Sequence, residues 1–301
     1  MSGECPAKPA RYGFLMEDLR WEERPKLRKP VLICAFRGWN DAAESATSAL
    51  EYLSRAWGAN RFAAIDPEHF FDFQVTRPTV RLTEGRTREV IWPELVFCGA
   101  SIEGAGRDAV LLTGAEPNLR WRTFCQTVIQ ASGELGVEMV VSLGALLADV
   151  PHTRPVRITG IAGDPALVER LGFSQTRYEG PTGIVGVLQD SCMRAGLSCA
   201  SLWAPVPHYV AAVPSPKASL ALVQTLVRVI DVNVDVSELE RSSTEYEERL
   251  DAAVSSDPDV KAMVERLEQQ MDEATEISPI DLPSGDTIAR DFERFLRDQE
   301  P

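Results

Sequence analysis

The feature that most constrains this 301-residue chain is the stretch PVLICAFRGWNDAAESATSALEYL, residues 30–53. An apolar run from Val31 to Phe36 stops abruptly at Arg37-Gly38-Trp39-Asn40-Asp41, and an Ala-rich segment follows. Strand, tight polar loop and helix start form an α/β unit, and many phosphate and nucleotide sites share that layout. Ala42, Ala46, Ala49, Leu50, Leu53 and Trp57 recur at helical spacing and give the helix one buried face. Asp41 is placed to cap it, Glu44 to complete a capping box, and Gly58 to stop it.

Strand and helix signals continue to about residue 232. Closely spaced strands are expected at 62–65, 79–82, 90–92, 95–100 and 110–113, so part of the sheet should be antiparallel. A helix from Trp121 to Glu134 should stop at Gly136. VEMVVSLGALLADV begins as a buried strand, and its second half reads as either strand or helix. VRITGIAG reads as a strand and DPALVERLG as a short helix. GIVGVLQDSCMRAG reads as a helix, and SCASLWAPVPHYV as a late strand ending in prolines. Ser215 and Pro216 open one more helix. The expected fold class is α/β, a mixed β-sheet flanked by helices, over residues 1–232, with 1–29 as an irregular arm.

Residues 233–301 have another rhythm and another charge. They hold 20 acidic against 7 basic residues, while residues 1–232 hold 25 against 24. Val236, Leu239, Ser243, Tyr246, Leu250 and Ala253 step by three and four, Asp257-Pro258 interrupts, and Val260, Val264, Leu267 and Met271 resume. That pattern predicts an acidic antiparallel αα-hairpin with a narrow apolar seam. Ile288, Phe292, Phe295 and Leu296 mark a last short helix.

The balanced main body argues against a nucleic-acid partner bound through a basic stripe. No apolar run reaches the ~20 residues of a membrane helix, and the first residues lack a signal peptide's apolar core. The six cysteines include no C-x-x-C pair and the three histidines are scattered, so buried reduced thiols and no metal site are expected. Together these features place the protein in the cytoplasm, with no cofactor.

Four polar loops are the candidate ligand or interface sites. The first offers Arg37, Trp39, Asn40 and Asp41. The second, GAEPNLRW, offers Glu116 and Asn118, with Asn118 able to cap the following helix. The third packs Asp149, His152 and Arg154 into DVPHTRP, where Asp149 orienting His152 would make a general base. The fourth, SQTRYEGPTG, offers Arg177, Tyr178 and Glu179, with Thr182 as a cap. His208 sits in WAPVPHY, a candidate pocket wall. No catalytic residue is assigned. Neither G-x-G-x-x-G nor G-x-x-x-x-G-K-[ST] occurs.

Six ordered motifs, VLICAFRGWNDAAESATSAL, GAEPNLRW, LGALLADVPHTRP, RYEGPTGIVGVL, LWAPVPHYV and SPKASLALVQTL, resemble the proteasome assembly chaperone 2 family in its longer, actinobacterial-type form. The resemblance covers about residues 30–232 and implies a core like purine nucleoside phosphorylases. It implies a non-enzymatic, ATP-independent partner of proteasome subunits that forms a homo-oligomer, with a trimer among the candidate states. Relatives often dock through a C-terminal hydrophobic-Tyr-any motif, from which the final LRDQEP departs. The alternative reading is a small-ligand binder or enzyme for a nucleoside, phosphate or other anion, with the four loops converging on one cleft.

Overall fold

The computed structural model describes residues 18–83, 87–163 and 179–277. In chain order the elements are β1 (Leu19–Trp21), β2 (Val31–Arg37), α1 (Ser45–Ala56), β3 (Asn60–Ile65), β4 (Thr79–Thr83), β5 (Thr87–Ile91), β6 (Leu95–Ser101), β7 (Asp108–Ala115) and α2 (Trp121–Leu135). They continue with β8 (Met139–Ala148), β9 (Thr159–Ala162), α3 (Ile184–Arg194), β10 (Ser198–Pro207), α4 (Pro216–Ile230), α5 (Ser237–Ser255) and α6 (Pro258–Ile277). The expected helices at 164–172 and around 288–296 lie outside the described residues.

Eight strands form one mixed sheet in the order β1-β3-β6-β7-β2-β8-β10-β9. The centre is parallel: β7, β2, β8 and β10 run the same way. The flanks are antiparallel: the β3-β6-β7 pairings follow the short spacings between residues 60 and 115, and β1 and β9 add antiparallel edges that those spacings do not cover. Successive residues of β2 alternate between two cores. Val31, Ile33 and Ala35 join the side covered by α1 and α4, and Leu32, Cys34 and Phe36 join the side covered by α2 and α3. Both faces of the parallel centre are therefore buried, which explains its unbroken apolar runs. Among the described residues, no helix is long and apolar enough to cross a membrane.

Local chemistry accounts for most boundaries. Gly136 ends α2 in the left-handed conformation at φ 69°. The Ser215 hydroxyl accepts from the Ala218 amide and Pro216 follows it, starting α4. Pro205 and Pro207 are tolerated in β10 because β9 pairs only with Ala200–Trp203, leaving that side of the strand open beyond it. The ambiguous half of 137–150 is strand, since β8 stays paired with β10 as far as Ala148.

The arm is less irregular than the sequence suggests. Leu19–Trp21 adds an edge strand to β3. Trp21 stacks on Phe62 at 5.8 Å, with the Arg24 guanidinium 4.4 Å over its ring. Arg28 then meets the buried Asp108, donating from its backbone N–H and from Nη2, each at 2.7 Å. Burial pushes the Asp108 carboxyl up, but the hydrogen bonds and charge of Arg28 outweigh it and hold it below the usual range.

The five described cysteines are free thiols, and Cys34, Cys125, Cys192 and Cys199 are buried. Burial pushes Cys125 up to about 11 and Cys192 to about 12, so these thiols stay protonated at neutral pH.

Candidate functional site

Strands β2, β7, β8 and β10 end side by side at Arg37, Ala115, Ala148 and Pro207, so the loops that follow them crowd one edge of the sheet. At that edge the half-buried carboxylate of Glu116 joins three loops. Its Oε1 accepts from Asn40 Nδ2 and from the Ile184 amide, each at 2.8 Å, and its Oε2 accepts from the Trp39 amide at 3.3 Å. The N-terminus of α3, where an anion could sit, is thus occupied by the protein's own carboxylate. Two glycines permit the approach. A Cβ on Gly183 would lie 2.2 Å from Asn40 Nδ2, and Gly38, at φ 139°, would place one 3.1 Å from Glu116 Cβ.

Several expected roles are corrected here. Asp41 does cap α1, but across a 3-10 turn at Ala42–Glu44. Its Oδ1 accepts from the Ala46 and Thr47 amides at 2.7 and 3.2 Å, and its Oδ2 accepts from the Thr47 hydroxyl. Glu44 occupies the N-cap in the left-handed conformation, so no capping box forms. Burial pushes the Asp41 carboxyl up, and the Thr47 and Ala46 hydrogen bonds offset part of that. Asn118 does not cap α2, whose N-cap is the left-handed Arg120. Its Oδ1 instead accepts from the Asp72 amide at 3.0 Å and the Thr76 hydroxyl at 2.9 Å, anchoring the segment that leads to β4. Thr182 makes no cap either. Gly183 is the N-cap of α3 without a side chain, and Glu116 supplies the missing acceptor. Arg37 is exposed, 3.8 Å from Glu51. Trp39 is 45% exposed, and Glu179 is exposed. Arg177 and Tyr178 lie outside the described residues.

The third loop is the seat of the helical hairpin. The His152 backbone N–H donates to Tyr209 Oη at 2.8 Å, the same oxygen lies 2.8 Å from Nδ1, and Nε2 is 3.1 Å from Asp251 on α5. The imidazole therefore bridges Tyr209 on one side and the Asp251 carboxylate on the other. Burial pushes the Tyr209 hydroxyl up to about 12, so it remains a donor. Thr153 bonds Glu268 on α6. Arg154 grips Asp272 through Nε at 3.0 Å and Nη2 at 2.7 Å, and reaches Glu268 at 3.3 Å. Lys217 at the start of α4 ties the His152 carbonyl to Glu247 on α5. Asp149 does not orient His152; its Oδ1 lies 3.1 Å from Nδ1 of His208.

Among the described residues, the candidate side chains of the first three loops gather at two closed junctions. One is the Glu116 junction. The other is the hairpin seat, where a cavity of only about 20 Å³ remains among Val150, Pro151, Arg154, Tyr246 and Met271. That is room for about one water, against the hundreds of Å³ of a typical small-molecule site. The partners that sequence reasoning missed are Lys217, Glu247, Asp251, Glu268 and Asp272. A signal was present: Glu247 and Asp251, and likewise Glu268 and Asp272, are four apart, so each pair presents two carboxylates on one helix face.

Arg154 also fixes how the seat responds to acid. Its hydrogen bond holds the Asp272 carboxyl below the usual range. With a folded value below the unfolded one, Asp272 contributes stability that is complete above about pH 4 and is lost as pH falls through the depressed value. The protection factors of the α6 amides, which remove the intrinsic pH dependence of exchange, are therefore expected to fall below that range. In Arg154→Ala, α6 should exchange faster already at neutral pH and depend less on acid. Equal acid profiles in the two proteins would refute the link.

A three-layered α/β/α protein with strand-end loops closed by its own side chains and its own C-terminal hairpin is the class defined by these features. The chain belongs to the PAC2 family, whose model matches residues 35–254. A PAC2 family protein from Streptomyces avermitilis is 45% identical over 78% of this chain and 99% of that one, with a TM-score of 0.73. A Mycobacterium tuberculosis proteasome-assembly chaperone homologue is 43% identical, with the same coverage and TM-score. The fold, though not the sequence, extends to an archaeal proteasome activator from Pyrococcus furiosus, at 17% identity, 78% and 97% coverage and a TM-score of 0.63. A comparison with curated proteins finds no match.

Proposed function

We propose that this chain is a non-enzymatic interaction protein of the cytoplasm that associates with itself and serves as an ATP-independent chaperone of proteasome assembly. The observation that carries this reading is the occupied strand-end edge. Open α/β sheets bind small ligands at the C-terminal ends of parallel strands. Here Glu116 fills one position and the hairpin the other. Among the described residues, these two junctions present surface rather than a pocket at the strand ends. The M. tuberculosis relative, described as a proteasome-assembly chaperone homologue, supports the choice of partner.

Two structural assignments belong with this reading. The core is of the purine nucleoside phosphorylase kind, an assignment supported by the parallel centre between antiparallel flanks. Residues 233–301 are an extension to the domain of residues 1–232; within its described part, Leu239 of α5 joins the core shared with α1 and α4.

The test is affinity capture of the tagged full chain from its native lysate, with proteasome subunits quantified by mass spectrometry. Enrichment of α- or β-subunits over an untagged control is expected, and no enrichment overturns the choice of partner. A thermal-shift screen with nucleosides, phosphate and amino acids is expected to leave the melting midpoint unchanged. A saturable shift would instead favour a ligand-binding function.

A further inference from the structure

Strands β4 and β5 pair only with each other, as a two-stranded ribbon apart from the main sheet. Val80 lies directly opposite Val90, and Leu82 opposite Arg88. The two-residue repeat adds Trp92 to the same face. Its four apolar members, Val80, Leu82, Val90 and Trp92, are 49–61% exposed. The face runs on to the strand-end edge. Trp92 meets Phe73 edge-on at 4.8 Å. The Thr76 hydroxyl donates to Asn118 Oδ1 at 2.9 Å, which brings the segment of the exposed Val75 against the loop of the exposed Leu119. In that loop Glu116 accepts from the amide of the exposed Trp39. A two-stranded ribbon is marginal in water by itself, and an open apolar strip of this extent is a contact surface.

Charge and reach identify what covers it. The chain has a net charge of −14, yet cations flank the strip. Arg77, Arg88, Arg120 and Arg122 are exposed, and among the described residues none of them has a carboxylate partner. The matching surface is acidic and apolar, and this chain contains such a sequence. Residues 278–301, which follow α6 and lie outside the described residues, hold six acidic residues against three arginines. Within them Ile288, Phe292, Phe295 and Leu296 recur at helical spacing. The described chain stops within reach of the strip. Arg154 holds Asp272 at the third loop, and Ile277 follows five residues later. That loop begins where β8 ends, and Leu119 follows β7. The two strands are two places apart in the sheet, about 10 Å. The ten residues 278–287 can span up to ~33 Å.

We propose that residues 278–301 cover this strip within the same copy. Ile288, Phe292, Phe295 and Leu296 lie against Trp92, Leu119 and the ribbon valines, and the acidic residues between them face Arg88, Arg120 and Arg122. The segment thereby shields the apolar strip that the strand-end edge and the ribbon present. The contact does not depend on whether the partner is a proteasome subunit.

Hydrogen exchange of the full chain, read by mass spectrometry, tests the proposal. Phe292→Ser/Phe295→Ser/Leu296→Ser is expected to speed exchange on the order of tenfold in residues 73–83, 87–92 and 117–122, whose own sequence is unchanged. Strands β2 and β8 should stay protected as in the wild type, which shows that the variant is folded. Val90→Ser/Leu119→Ser should in turn speed exchange within residues 288–296, and Arg120→Glu/Arg122→Glu should do the same to a smaller extent. Diluting the wild type should change none of these rates, as for a contact within one copy. Equal exchange of residues 73–92 and 117–122 in the wild type and the triple-serine variant overturns the proposal. Exchange there that rises on dilution assigns the covering segment to a second copy and overturns the contact within one chain. Faster exchange confined to α5 and α6 places the apolar residues on the hairpin and overturns the strip as their seat. Proteasome capture is read separately from these rates, so failure of the chaperone reading and failure of this contact are distinguishable.

Discussion

Glu116→Ala is expected to lower stability by about 3 kcal/mol, and with it the thermal midpoint by roughly 6–10 °C. The carboxylate serves the amides of Ile184 and Trp39 and the side chain of Asn40. Asn40 and Ile184 are 1% and 0% exposed, so their N–H groups would be left without partner or water, while the exposed Trp39 can turn to solvent. Glu116→Gln should fall between the two, because an amide keeps one acceptor and turns an N–H₂ toward a donor. Thermal unfolding followed by circular dichroism measures both variants. A midpoint within a degree of wild type for the alanine variant would mean that the three loops hold without their common acceptor.

Tyr246→Ala should release the hairpin. Tyr246 is 4% exposed on α5 and lines the small cavity with Val150, Pro151 and Pro207. Removing a buried aromatic ring costs about 3–5 kcal/mol where the site cannot collapse. The rigid prolines of the third loop and the Lys217 and Arg154 ion pairs hold this site open. The loss should be local. Limited proteolysis should cut within residues 237–277 at a protease level that spares the wild-type chain, and the fragment ending near residue 232 should persist. Tyr246→Phe keeps the ring and should resist like wild type. Equal protection of the alanine variant would show that the polar bonds of His152 and Arg154 suffice to hold the hairpin.

Features written in short-range chemistry were legible in the sequence. The stop at Gly136, the start at Ser215-Pro216 and the break at Asp257-Pro258 each depend on residues within one turn of the boundary, and each stands where the sequence placed it. The three- and four-residue steps of the tail found the hairpin, with Leu239, Tyr246, Val264 and Leu267 buried. Ala253 proved exposed, and Leu250 and Val260 near the turn are only half-buried. Roles that depend on distant partners were not legible. Glu116 reads as a turn residue, and its partners are 68–77 positions away. Asp149 and His152 are close in sequence, yet each finds a nearer partner elsewhere, His208 for one and Tyr209 with Asp251 for the other. The capping box failed for a related reason. Asp41 reaches the amides of Ala46 and Thr47 only because Ala43 and Glu44 both turn left-handed, at φ 50°, a strain that no local preference of those residues predicts.

The Glu116 junction also governs how the sequence can drift. Asn40, Glu116 and Gly183 lie in three loops, far apart along the chain, yet each fits only the other two as they stand. A methyl group at position 183 would land on the Asn40 amide, and a smaller residue at 40 would make room for it but deprive Glu116 of a donor. Substitutions at these positions are therefore coupled, and a library that randomises one loop at a time will sample few of the combinations that keep the junction closed.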